Sequence, residues 1–372
     1  MYENAGQEAK LIKCCSNSAD VNENADWISL KKNQDLKPSL TPDCQIYNST
    51  NLPSAEIASG IADVYRAVYG ENHPDKDLLN PAAISQKIAR DTLIYAVIQD
   101  QDQQVVAVAA LAYLNCFGTN VEQYGAIKEL GKLAVLPEFR KNGYASILTK
   151  MRVEHAIELG ASSLVSVAVG SHANSQHTLS KNGFRPSGVS IRDWQDIFDP
   201  EQRESSIFMH KIIDPKIKDS RQIFVPQDLH RVVSIAYESL ECEREFVQAK
   251  EPGNLTPACT SYSLQSDRAS SNAQFFLHCP SNIDSLTKSI KQDRLRELKH
   301  LSVTLDIGEP QSCAAVSKLL DIGFCFAGVH PFEKTDLLTL QRVRDLPEDF
   351  SARIHFDEND TTCLRILNQL KQ

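Results

Sequence analysis

The chain lacks any run of about 18 consecutive apolar residues, so nothing in it reads as a membrane-spanning helix. It also lacks an excess of basic charge. With 39 Lys and Arg against 48 Asp and Glu, the formal net charge is −9 at pH 7. That balance denies it the basic face that sequence-independent nucleic-acid binding requires, so no nucleic-acid partner is expected. Its 10 cysteines contain no C-x-x-C pair and no paired metal-ligand spacing, so no metal site is expected. Cys14 and Cys15 are adjacent and the others scattered. Cys116, Cys313, Cys325 and Cys363 lie among apolar residues and read as buried thiols. The N-terminus shows no basic segment leading into an apolar stretch and a small-residue cleavage site. A cytoplasmic protein with reduced thiols is the expectation.

What is present is the composition of a globular protein, 42% hydrophobic and 23% charged over 372 residues. A domain of about 150 residues is a common unit, so two domains are expected. Residues 1–43, rich in Asn, Ser, Asp and Lys, read as a flexible arm. From Cys44 the pattern tightens. "CQIYNS" reads as a short strand. "SAEIASGIADVYRAVYG" has helical spacing, as does "NPAAISQKIAR" with Asn80 as cap and Pro81 at the first helical position. "TLIYAVIQDQDQQVVAVAALAYL" reads as a hairpin turning at residues 99–104, and "AIKELGKLAVLP" as a third strand.

"GYASILTKMRVEHAIELG" is a helix closed by Gly160, "SLVSVAV" a strand, and "NSQHTLSKNG" a short helix capped by Asn174 or Ser175 and stopped by Gly183. Strands near 189–196 and 206–212 end the unit. The order β-α-α-β-β-β-α-β-α-β-β predicts a mixed α/β sheet over 44–213.

"IIDPKIKDSRQIFVP" reads as a linker into a second unit over 214–372. That unit has helices at "QDLHRVVSIAYESL", "IDSLTKSIKQDRLREL" and "SCAAVSKLLDIG", with strands at "AQFFLHC", "LSVTLDI" and through "LLTLQRV". Each unit carries Ser-Lys followed by G-F-x-x-x-G-V, at Ser180–Val189 and Ser317–Val329. A helix that ends in glycine and feeds a strand, met twice, predicts a duplicated architecture.

Between the third strand and its helix stands R-x-x-G-x-A: Arg140, Lys141, Asn142, Gly143, Tyr144 and Ala145. The bland reading is a β-α turn with solvated charges. The sharper one is a phosphate cradle, in which helix N-terminal amides hold an anion and Gly143 admits it close to the backbone.

These residues, together with Leu133-Ala134-Val135-x-Pro137 before them and "NSQHTLSKNGF" at 174–184, resemble the GNAT superfamily of acyl-CoA-dependent N-acetyltransferases. The likeness covers about residues 45–213 well. It extends weakly over 224–345, as in tandem GNAT proteins with a degenerate C-terminal half. No R-x-x-G-x-G/A stands between strand and helix in that half, so coenzyme A binding is not expected there. The resemblance implies a GNAT-like fold in two tandem domains, the second diverged. It implies transfer of an acyl group, acetyl or another, from acyl-CoA to a primary amine, by a monomer or homodimer.

Leu133, Ala134 and Val135 would pair with the pantetheine arm, the amides of residues 140–145 would hold the pyrophosphate, and an amide near Val135 would polarise the thioester. Asn174 and Ser175 could touch the pantetheine or adenosine. Attack needs a neutral amine and hence a base. Glu129 is the leading candidate, sharing a face with Leu133 and Val135 if the strand is regular. Glu122 and Tyr124 are weaker substitutes. Relatives often place a tyrosine, as the acid for the thiolate, where this chain has Leu179; His177, Ser175 or water would serve instead. His172 would lie on a loop by the acceptor. An acyl carrier at Cys116 is a remote alternative, and a non-catalytic coenzyme A-binding scaffold is the runner-up.

Overall fold

The computed structural model describes residues 42–71, 73–113, 126–199, 202–247, 262–267, 272–277, 283–291, 295, 297–348 and 350–370. Nearly all of the expected arm lies outside them, as do Cys14, Cys15, Cys116, Glu122 and Tyr124.

The first half follows the expected order: β1 (Asp43–Tyr47), α1 (Ala55–Tyr69), α2 (Pro81–Ala89), β2 (Leu93–Gln99), β3 (Val105–Tyr113), β4 (Ile127–Val135), α3 (Tyr144–Glu158), β5 (Ser163–Val169), α4 (Asn174–Lys181), β6 (Arg185–Gln195) and β7 (Arg203–Ile212). Local chemistry fixes the boundaries. Ser54 Oγ accepts the Ile57 N–H at the start of α1. Asn80 Oδ1 accepts the Ala82 and Ala83 N–H groups at the start of α2. Beyond α3 and α4, Gly160 and Gly183 take φ of 76° and 82°, the left-handed step that ends a helix. The expected cap of α4 is corrected. Asn174 and Ser175 lie inside the first turn, and Ala173 occupies the cap position with no side-chain bond.

The second half contains β8 (Arg221–Ile223), α5 (Gln227–Leu240), β9 (Arg244–Phe246), β10 (Tyr262–Asp267), β11 (Asn272–Leu277), α6 (Ile283–Ile290), β12 (His300–Asp306), α7 (Gln311–Leu320), β13 (Cys325–Pro331), β14 (Asp336–Val343) and α8 (Thr362–Leu370). The stretch expected to be a linker is built into the fold instead. Asp214 caps a 3-10 turn at Pro215–Lys218, β8 follows, and Ile217, Ile223 and Val225 are buried. A linker with that many apolar residues gains more by packing than by exposure. Of the cysteines read as buried, Cys363 is buried, whereas Cys313 and Cys325 are half-buried.

Twelve strands form one mixed sheet in the order β1-β2-β3-β4-β5-β7-β6-β13-β14-β12-β11-β10. Within it, β3-β4-β5-β7-β6 pair antiparallel, parallel, antiparallel and antiparallel in turn. The series β10-β11-β12-β14-β13 repeats that sequence of senses. The two series meet at β6 and β13, where Gly188 faces Gly328. Both are the second glycine of G-F-x-x-x-G-V. Gln341 braces the seam, donating to the carbonyls of Val189 and Phe326 and accepting the Ile191 N–H.

One sheet face is covered by α1 and α2, through Ile61, Tyr65, Ile84 and Ile88. On the other, Val153 and Ala156 of α3, Val232 and Ala236 of α5 and Ile366 of α8 share a core that crosses the seam. A Cβ at Gly188 would overlap the Ala327 carbonyl oxygen. The variant Gly188→Ala should therefore lose at least about 1–3 kcal/mol of unfolding free energy, measured by urea denaturation.

Candidate functional site

Strand β4 is not regular. Val108 pairs with Ala134 and Ala110 with Gly131, so Ala109 alone stands against Lys132 and Leu133. This is a β-bulge, with Lys132 in the left-handed region at φ 54°. Strand β5 pairs with β4 only along Ile127–Leu130, and from there to Val169 its pairing continues with β7 alone. The two parallel strands thus part at the bulge and leave a notch in the middle of the sheet.

The bulge turns carbonyls off the ladder, and side chains meet them. Tyr65 and Tyr69 of α1 donate their hydroxyls to the carbonyls of Lys132 at 2.5 Å and Leu133 at 3.0 Å. Buried Arg152 of α3 donates to those of Ala110 at 2.9 Å and Gly131 at 3.0 Å. Burial pushes its guanidinium down to about 10 and the Tyr65 phenol well up. Arg152 has no carboxylate beside it among the described residues; carbonyl dipoles and the Thr149 hydroxyl meet its charge. The sequence reading passed over all three. A charged residue in register with buried Leu148 and Ala156 of α3, at i and i+4 steps, was the available signal.

At the end of β4, a 3-10 turn at Pro137–Phe139 leads to Arg140. Arg140 Nε donates to the Val135 carbonyl and Asn142 Nδ2 to that of Phe139. Lys141 and Gly143 adopt φ of 67° and 78°. Gly143 holds the cap position of α3 without a capping side chain. The backbone N–H groups of Lys141, Asn142, Gly143, Tyr144 and Ala145 have no hydrogen-bond partner among the described residues. A Cβ placed on Gly143 would meet nothing within 4 Å. Arg140, Lys141, Asn142 and Gly143 are exposed, and Tyr144 and Ala145 half-buried. The arrangement is an open concavity of amide donors at a positive helix end, with two cations beside it.

The bulge also overturns the expectation for Glu129. One extra residue reverses the alternation, so Leu133 and Val135 pack with Ala107, Ala109, Tyr144 and Leu148 on the α3 side. Ala134 packs with Tyr65, Val108 and Ala110 on the α1 side, and Glu129, opposite Ala112, belongs to that face. Glu129 is half-buried and its side chain makes no hydrogen bond or ion pair among the described residues. Burial pushes its carboxyl above the usual carboxylate range, and nearby Lys132, itself paired with Asp75 at 2.9 Å, offsets part of the rise. Across the pairing, Val165 lies opposite Glu129. Val165 and Ile127 pack with Phe276, Phe332 and Leu337 from the second half.

The α4 residues sit at the end of β5. Asn174 is exposed, and the Ser175 Oγ is buried without a partner. His177 is exposed, with Nδ1 3.5 Å from Asp357 Oδ2. Burial works to raise the Asp357 carboxyl, but Asn359 and His177 together hold it below its ordinary value. Gln176 ties the same C-terminal segment down, donating to the His355 carbonyl at 2.7 Å and accepting the Asp357 N–H. Leu179 is buried in the core with Phe184, and His172 is exposed. A surface hollow between α5 and α8, lined by Arg231, Glu238 and Arg365 among others, holds none of these groups.

Residues 59–184, which span the bulge, the notch and the amide concavity, match the model of the Acetyltransferase (GNAT) family. That stretch is a GNAT acetyltransferase domain. Similar solved structures include a phosphinothricin acetyltransferase from Sinorhizobium meliloti in complex with AcCoA, 19% identical, covering 47% of this chain and 90% of that one at a TM-score of 0.38. A ribosomal-protein-alanine N-acetyltransferase from Brucella melitensis is 20% identical and covers 45% and 99%, at a TM-score of 0.37. No curated protein sequence matches the chain. In this GNAT domain, no helix among the described residues is long and apolar enough to cross a membrane. Replacing Arg152 by Met should strand two buried carbonyls at the bulge. A loss of about 2–4 kcal/mol in unfolding free energy is expected from urea titration.

Proposed function

We propose that the protein transfers an acyl group, acetyl in the simplest case, from acyl-CoA to a primary amine. The observation that carries this reading is the row of unpartnered amides from Lys141 to Ala145, opening beside the notch between β4 and β5 in a GNAT domain. When bound, acyl-CoA supplies the activated acyl group: a C–N bond forms at the thioester carbonyl carbon, the C–S bond breaks, and the released thiolate takes up a proton. The chain's own residues do the rest. The amides of residues 141–145, with Arg140 and Lys141, hold the diphosphate. The backbone of Leu133, Ala134 and Val135 aligns the pantetheine arm, with Asn174 and the unpartnered Ser175 hydroxyl on its other side. An amide near Val135 stabilises charge on the carbonyl oxygen.

Glu129 removes the amine proton, and its raised carboxyl is better matched to that task than an ordinary glutamate. His177, tied through Nδ1 to Asp357, holds the proton for the departing thiolate. Residues 214–372 are, in this reading, a diverged second copy that has kept the strand order and lost the cradle. The protein acts in the cytoplasm as a monomer or homodimer.

One observation favours a non-catalytic coenzyme A-binding module: the position of the usual acid is Leu179, spent on the core. A thiol-release assay separates the readings. Glu129→Gln should lower kcat by about 10²–10⁴-fold with coenzyme A affinity unchanged. The wild-type kcat/KM should fall as pH drops through the Glu129 pKa, above the ordinary glutamate range, because the base then carries a proton. Binding without turnover across many amines would favour the module.

Gly143→Asp should weaken coenzyme A binding about 10–100-fold in calorimetry, through lost charge-assisted bonds and an added like charge. Unchanged affinity would remove the cradle, and the reading with it.

A further inference from the structure

The face that carries Glu129 continues as a strip of apolar side chains. Side chains alternate along a strand, so Val165, Val167 and Val169 of β5 all lie on the Glu129 side. Val167 and Val169 are each 38% exposed although they sit in mid-sheet. Phe208 of β7 lies directly across from Val167. Trp194, paired with Glu204 near the end of β6, reaches the same face and is 56% exposed. Beyond it, Phe198 is 72% exposed, yet its ring stacks on Tyr69 of α1 with centroids 6.3 Å apart and planes 29° apart. Tyr69 in turn bonds the bulge carbonyl of Leu133. The β6–β7 hairpin and α1 thus meet across the notch. At the inner end, Val165 is buried against Phe276 and Phe332 of the second half.

Charge on this face is sparse. Glu129 is unpaired. The neighbouring carboxylates are engaged: Asp75 with Lys132, Asp193 with the Ser206 hydroxyl, and Glu204 with the N–H groups of Gly170, Ser171 and Ser205. Along the valines Glu129 is the carboxylate left to meet an ammonium, and Asp196, at the hairpin end, accepts the Phe198 and Asp199 N–H groups. Holding a second charge against valine and aromatic side chains is penalised, whereas an apolar body gains by hiding its surface from water.

Resting on the transferase reading above, we infer that the acceptor is a small primary amine carried on an apolar or aromatic body, with no second positive charge. It lies along Val167 and Val169 beneath the Tyr69–Phe198 stack, amine toward Glu129. The packing of Val165 on Phe276 and Phe332 of the second half closes its inner end.

The test uses the full chain with acetyl-CoA and four amines: 2-phenylethylamine, hexylamine, spermidine and an aminoglycoside. The kcat/KM for 2-phenylethylamine should exceed that for spermidine by at least about tenfold, the selectivity that one missing charge partner supplies. Phe198→Ala should raise KM for 2-phenylethylamine several-fold with KM for acetyl-CoA unchanged. Val167→Asp should move the preference toward spermidine. Preference of the wild type for spermidine or the aminoglycoside, or equal rates for all four, overturns this inference and leaves the transferase reading standing. Coenzyme A binding with no turnover of any amine brings down both.

Discussion

Between its pairings with Ala110 and Val108, β4 carries one residue more than β3, and the site is arranged around that excess. A bulge breaks the ladder and turns carbonyls away from it, and such groups are costly if buried without donors. Here three long side chains from two helices on opposite faces supply them: Tyr65 and Tyr69 from α1, Arg152 from α3. The same contacts lock both helices to β4. The position of the α3 N-terminus, and with it the amide concavity at Gly143, is therefore set by the irregularity that parts β4 from β5. A straight β4 would keep β5 paired along its length, close the notch and take the Gly131 carbonyl away from buried Arg152.

The seam works by a different constraint, close approach. Gly188 and Gly328 bring β6 and β13 together where a side chain on Gly188 would strike the opposing backbone. Glycine gives up backbone entropy on folding, and the return is a continuous sheet with a core shared by α5 and α8. Continuity has a consequence at the site. The second series of strands carries Phe276, Phe332 and Leu337 onto Ile127 and Val165. Residues far away in sequence therefore pack on Val165, the strand neighbour of Glu129.

Much of this was legible in the chain. The helix cap at Asn80, the hairpin between β2 and β3, and the glycines ending α3 and α4 are local chemistry, and local chemistry is what a sequence displays. The paired G-F-x-x-x-G-V motifs pointed to the repeated strand order, though not to the meeting of their second glycines. Helix α8 was missed despite its signal, since Cys363, Ile366, Leu367 and Leu370 recur at helical spacing. The bulge was not legible. It is defined by register against β3, and a strand's own residues do not state how many partners they face. That is why Glu129 was assigned to the face of Val135, one residue out of phase. The contact of His177 with Asp357 was equally hidden, because it joins residues from different halves.

The phase reversal at Lys132 separates two chemistries along one strand. Ahead of it, Ile127 and Glu129 look toward α1, the β5 valines and the aromatic stack of Tyr69 and Phe198. Behind it, Leu133 and Val135 look toward α3 and the turn that leads to Gly143. In the proposed reaction, the amine and its base occupy the first face, while the cofactor enters through the notch from the amides at the strand's end. The two substrates then approach from different directions and meet at the bulge. Glu129 is also kept away from Arg140 and Lys141, whose charge would hold its carboxyl low and make it a weaker base. In place of those cations it has Lys132, already neutralised by Asp75. A single inserted residue thus separates the cations of the amide concavity from the proposed proton acceptor and leaves that carboxyl in an apolar setting.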